Sequence, residues 1–189
     1  MNTPSHIILN ALVLGTGPRK ALWLPITAGA LVPDLPMVGF YVYQRSLRHA
    51  PESQIWNDLY FEPHWQAFFD GFNSLPMALL GALAAWRLAR PAWVAFFLSV
   101  GLHCLGDLPL HREDAHGHFF PISDWRFVSP VSYWDPSFHG SWVAAGEGIL
   151  VIAGSLSLMR RSTPWRVIGA VTLAGSLVFG TFAYFTWIA

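Results

Sequence analysis

The charges of this chain sort themselves by the ends of its apolar stretches, and that pattern constrains the fold more than any motif. Five stretches, at 21–43, 68–86, 91–110, 142–159 and 165–188, are each about long enough to cross a hydrocarbon core of ~30 Å as a helix. If they cross alternately, Arg19, Lys20, Arg87, Arg90, Arg160, Arg161 and Arg166 share one face with no acid among them. The excess of Lys and Arg makes that face cytoplasmic. Glu52, Asp58, Glu62, Glu113, Asp114, Asp124 and Asp135 then lie opposite. The expectation is a single all-α integral membrane domain over 1–189. It is polytopic, with about five transmembrane helices, a short N-terminal half-crossing helix and a His/Asp-rich outer loop.

Composition agrees. Charged residues make up only 12% of the chain and hydrophobic ones 53%, too few charges to cover a soluble domain. A net charge of +0 gives no argument for nucleic acid as a partner. The tryptophans fall near the span ends: Trp23, Trp86, Trp93 and Trp165 at one interface, Trp65, Trp125, Trp134, Trp142 and Trp187 at the other, as in an aromatic belt. A lone Cys104 excludes an intramolecular disulfide. The opening MNTPSHIILN lacks a basic segment before its apolar residues and does not read as a cleaved signal peptide.

Residues 6–14 look like a short helix, with Thr3 or Ser5 as its cap. It is too short to span, so it should lie buried against protein or a wet cavity. Pro33 and Pro36 should break or kink the first span around Asp34. Residues 44–67 and 111–140 form outer loops, and the second, rich in His, Asp, Pro and Trp, has the composition of an ordered lid. Phe68 and Phe69 read as lipid-facing surface.

Asp34, Asp70, Asp107 and Glu147 fall inside the spans, where a carboxylate is expensive and by default functional. Measured at 1.5 Å per residue from the arginine bounding each segment, His6, Asp34, Asp70, Asn73, His103, Asp107 and Glu147 lie roughly 20–25 Å deep. Five separate segments thus place polar groups in one layer. His103, Asp107 and His111 follow at i, i+4 and i+8, drifting ~40° per step along one helix face. Imidazole and carboxylate together suit Zn²⁺ or a similar ion. The loop segment Asp114-Ala115-His116-Gly117-His118 offers a second metal site or an acid/base pair. His64, Asp135 and His139 are weaker candidates, and His49 beside Arg48 reads as solvated surface.

Thr3-Pro4-Ser5-His6, the segment Gly29-Ala30-Leu31-Val32-Pro33-Asp34, and His103-x-x-x-Asp107 followed by a His-rich loop ending in Phe-Pro together resemble a known family. It is the bacterial membrane-bound metal-dependent hydrolases, the YdjM-like inner-membrane proteins, and the resemblance spans about residues 3–121. It implies His6, Asp34, His103 and Asp107 as metal ligands. Where that family carries a central Thr-His-Ser, this chain reads Phe72-Asn73-Ser74-Leu75, so an amide stands in place of an imidazole. His64, His111 or a loop histidine such as His118 could compensate.

The leading expectation is a membrane-embedded hydrolase of the bacterial inner membrane, its site facing the periplasm. A divalent ion, zinc by preference, would activate water against a lipid-like or amphiphilic ester or phosphoester. Asp114, His116 or Glu147 would serve as general acid or base. A metal or proton transporter using the same His/Asp layer, and a catalytically silent membrane scaffold, are the alternatives. No GxSxG motif supports serine chemistry. Composition and spacing leave the oligomeric state open.

Overall fold

The structure, a computed structural model, describes residues 1–187, with side chains for 1–17 and 19–178. All regular structure among the described residues is helical. In chain order the α-helices are α1 (Thr3–Leu14), α2 (Trp23–Leu31), α3 (Leu35–Val42), α4 (Glu52–Asn57), α5 (Pro63–Phe72), α6 (Leu75–Arg87), α7 (Pro91–Asp107), α8 (Gly140–Leu158) and α9 (Thr163–Trp187).

Among the described residues, three helical runs are long and apolar enough to cross a membrane: Trp23–Leu47, Pro63–Arg87 and Gly140–Leu158. Leu79, Leu80, Trp142 and Ile149 stand exposed on them, apolar surface that acyl chains accept and water penalises. The count is smaller than the five expected from hydropathy. Helix α7 has 17 residues and rises about 25 Å, short of a ~30 Å core. The fifth stretch, 165–188, falls on α9; its side chains beyond 178, Trp187 included, and residue 188 itself lie outside the described residues.

Local chemistry departs from expectation at four places. Helix α1 starts at Thr3 with Asn2 at the N-cap position, and no side chain caps it. The Thr3 hydroxyl donates to Asp34 instead. The first span does not break at Asp34: Val32–Asp34 tightens into one 3-10 turn and the chain continues in right-handed helical conformation. Pro33 and Pro36 each occupy the first turn of a segment, where a missing N–H costs little. The true interruption is at Asn73 and Ser74, between α5 and α6, where the Ser74 hydroxyl accepts from the Met77 amide at 3.1 Å. The expectation of outward-facing surface holds for Phe68 and fails for Phe69, while Trp165 keeps to the basic end but packs inward. Phe69 is buried with Phe40, Tyr60 and Trp65, and Trp165 lies in the core with Ile8 and Leu158.

Helix α1 packs against α2, α7, α8 and α9, and at 12 residues it covers only about 18 Å. A buried polar stitch ties three of these elements: Asn10 Nδ2 donates to the Ser99 carbonyl at 2.8 Å, and Ser99 Oγ donates to the Ile26 carbonyl at 2.6 Å. Left unpaired in such surroundings, groups like these would cost several kcal/mol. Gly29 lets α2 approach α7, since a Cβ there would lie 2.4 Å from the Phe96 carbonyl oxygen. At one end of the bundle Arg161 donates to the carbonyls of Ala11 and Gly15, and Trp165 Nε1 to that of Lys20. The histidines gather at the other.

Candidate metal centre

Asp107 ends α7 and is 2% exposed. Its two carboxylate oxygens face different imidazoles: Oδ1 lies 2.9 Å from His6 Nε2 and Oδ2 lies 3.0 Å from His103 Nε2. His103 precedes Asp107 by one helical turn and so shares its face, whereas His6 comes from α1. His103 Nδ1 donates to the Ala30 carbonyl at 2.9 Å. That bond places a proton on Nδ1, so that Nε2 is the lone pair whenever the ring is neutral. Nε2 also lies 3.5 Å from Asp34 Oδ1 and makes no directed hydrogen bond. A lone pair confronting two carboxylates is repulsive unless a proton or a metal cation lies between them.

A second triplet shares the same carboxylate. His111 Nε2 lies 3.2 Å from Asp107 Oδ1, and its Nδ1 lies 3.0 Å from Asp114 Oδ2. His116 packs beside it, ring centroids 4.8 Å apart. Burial, followed by the neighbouring His111, holds the His116 imidazole well below its ordinary value, so the ring is neutral. Burial also opposes charge on His111, but its bonds to Asp107 and Asp114 outweigh burial and hold it above the ordinary value. The Met1 ammonium contacts Asp107 Oδ1 and lies 3.0 Å from His111 Nε2.

The donors fit a divalent ion. Within His6–His103–Asp107, and within Asp107–His111–His116, one donor atom per residue lies within 4.8 Å of the others. Ligands about 2.0–2.1 Å from a tetrahedral zinc lie about 3.3 Å from one another. The Asp107 approaches of 2.9, 3.0 and 3.2 Å are near that spacing. These buried His/Asp groups could hold a metal ion.

The His-rich loop between α7 and α8 is fastened beside the centre at the helix interruption. Asp70 Oδ1 accepts from the Gly117 amide at 2.7 Å and pairs through both oxygens with Arg126. His118 Nδ1 donates to the Asn73 carbonyl at 3.0 Å, the Leu75 amide donates to the His118 carbonyl at 2.9 Å, and Ser74 Oγ donates to the Phe120 carbonyl. Gly117 has no room for a side chain, because a Cβ would fall 2.6 Å from Asp70 Oδ2.

The structure therefore joins His6, Asp34, His103, Asp107, His111, Asp114 and His116, and it separates others. His118 is in neither triplet, although its Nε2 is buried without a partner. Glu147 accepts the Asn2 amide at 3.1 Å and its side-chain amide at 2.5 Å, which anchors the start of α1. Asp70 belongs to the loop fastening. His64 is exposed beside Glu62, Asp135 accepts the Ser137 amide, and His139 adopts a left-handed backbone just before α8. Asn73 donates to the carbonyls of Pro33 and Phe69, and its Oδ1 is buried without a partner.

Three participants were not foreseen. Arg126 carried a signal as a basic residue on the acidic face. Tyr133, whose ring lies 4.7 Å from His111, and the Ala30 carbonyl carried none. A cavity of about 170 Å³ borders the centre, lined by Asp34, His111, Asp114, His116 and Tyr133 together with the apolar Met37 and Phe69. Comparison with family models, curated proteins and solved structures finds no match to this chain.

Proposed function

We propose that this chain is a membrane-embedded metal-dependent hydrolase of the bacterial inner membrane, acting on a lipid-like or amphiphilic ester or phosphoester. The observation that carries the reading is the pair of His/Asp triplets sharing Asp107 beside a cavity with polar and apolar walls. A bound divalent ion, zinc by preference, supplies Lewis acidity and lowers the pKa of water toward neutrality.

The protein's own groups do the rest. His6, His103 and Asp107 hold one position, with Asp34 3.5 Å from His103 Nε2. His111 and His116 approach Asp107 from the loop. Asp114 orients His111 through Nδ1, a positioning task of the kind carboxylates perform behind ligating imidazoles. His116, whose ring is neutral, offers its one lone pair to the second triplet at the cavity wall. Tyr133 lines the same cavity, and burial pushes its phenol up, so it stays protonated as a donor toward a developing oxyanion. Met37 and Phe69 form the apolar wall that suits an amphiphile.

The seven basic residues at the ends of the spans favour five crossings, with α7 and α9 completing the three long runs and the metal centre facing the periplasm. The testing experiment is elemental analysis of the detergent-purified protein, coupled to hydrolysis of lipid esters and phosphoesters. Folded protein that stays metal-free after zinc loading would sink the reading. Metal-driven flux in proteoliposomes without hydrolysis would replace it by transport.

A further inference from the structure

At the end of the bundle opposite the histidines lies a groove of about 340 Å³, twice the cavity at the metal centre. It is formed by the 3-10 turn Gly17–Ala21, the end of α6 and the first turns of α7. Its volume falls within the range of about 300–1,000 Å³ usual for ligand sites. Leu22, Val94 and Leu98 give it a carbon lining, and Trp86, Arg19 and Arg90 line it as well. No carboxylate lines it, and neither guanidinium makes an ion pair among the described residues.

The polar end has a second donor set. Arg90 is the N-cap residue of α7 and its side chain makes no cap bond. Pro91 has no amide hydrogen, but the first-turn amides that follow lack helical partners and point outward, as at helix N-termini that receive anions. The first turn of α7 contains no acid to occupy them. The turn entering α7 is fixed by backbone bonds from Ala89 to Trp86 at 3.0 Å and from Arg90 to Ala85 at 2.9 Å. Val94 and Leu98 are one helical turn apart, so the carbon lining leads away from the arginines along α7 toward the middle of the bundle.

We propose that this groove binds an anionic phospholipid. Arg19, Arg90 and the open end of α7 receive the headgroup phosphate, and one acyl chain lies along Leu22, Val94 and Leu98. Two unpaired cations over a carbon-lined trough complement an amphiphile with one anionic end. A free anion would leave the trough unfilled, and a neutral lipid would leave the arginines without a counter-charge. The site is distinct from the metal centre and does not depend on metal.

The test uses the full chain in detergent, with phosphatidylglycerol and phosphatidylcholine as probes and retained lipid counted by native mass spectrometry. Wild type should retain phosphatidylglycerol in preference to phosphatidylcholine. The double variant Arg19→Gln/Arg90→Gln should reduce that preference roughly tenfold or more, at about the strength of two interfacial arginines. Leu98→Trp, which fills the trough and keeps both arginines, should also expel the lipid. Arg160→Gln, a basic residue of the same end outside the groove, should retain it, and metal content should stay constant throughout. The proposal fails if the double variant retains phosphatidylglycerol like wild type. It fails equally if Arg160→Gln is as damaging, which would mean diffuse attraction, or if inorganic phosphate alone displaces the lipid.

Discussion

The rings of His6 and His103 stack face to face, centroids 3.5 Å apart and 10° from parallel, each presenting Nε2 to a different oxygen of Asp107. Two imidazolium rings would repel in that arrangement, so the stack favours at most one of the two rings being charged. A metal cation relieves the same conflict without protonating either ring. One carboxylate is thereby central to α1, to α7 and, through His111, to the outer loop.

Asp107→Asn is the most informative substitution. A shared ligand should cost both triplets their metal, so bound metal should fall steeply while the chain still inserts and melts cooperatively. Were Asp107 only a hydrogen-bonded buried acid, the amide would be tolerated or stabilising. Metal content and melting temperature, measured on one preparation, decide; full metal retention would overturn the assignment.

Glu147→Gln should behave differently. Its partners are the backbone and side-chain amides of Asn2, and a neutral carbonyl oxygen still accepts from both. Metal retention should be complete and stability should fall by about 1 kcal/mol. A loss of hydrolysis by several orders of magnitude at unchanged metal content would instead make Glu147 the general base.

Gly29→Val should destabilise the bundle and weaken metal binding together. Added carbons would press on the Phe96 carbonyl, an overpacking that costs typically about 1–3 kcal/mol. The same shift would move the Ala30 carbonyl that orients His103. Gly146→Ala, where an added Cβ meets nothing within 4 Å, is the control and should melt with wild type.

Asp70→Asn should loosen the loop and spare the inner triplet. Asp70 is 7% exposed and Arg126 30%, so the loss should be about 1–3 kcal/mol, below the 3–5 kcal/mol of a fully buried broken pair. Faster amide exchange over 111–126, with metal still held by His6, His103 and Asp107, is the expected result. Unchanged exchange would mean that the other loop contacts suffice.

Cysteine labelling tests the orientation against a silent background, because Cys104 is fully buried. Ser53→Cys should react with an impermeant reagent from the periplasmic side and Ser162→Cys should not, both positions being exposed. The reverse pattern would invert the topology.

Helicity, three of the five apolar runs and the burial of Asp70, Asp107 and Glu147 were legible in the sequence, because hydropathy, helical rise and the i, i+4 relation of His103 and Asp107 are local quantities. The chain alone also distinguished the ends of the bundle, since basic residues recur at fixed ends of apolar runs. The partners of each acid were not legible. Asp34, Asp70, Asp107 and Glu147 all lay in one layer by depth, yet Asp107 meets three histidines, Asp34 approaches His103 and bonds Thr3, Asp70 holds Arg126 and the loop, and Glu147 holds Asn2. Depth is one coordinate, and the rotation of each helix about its axis supplies the rest. That rotation is set by packing between segments distant in sequence, such as Gly29 against Phe96 and Asn10 against Ser99. Pro33 was read as a break because its place in the first turn of a 3-10 segment, where its missing N–H costs little, is visible only in the structure.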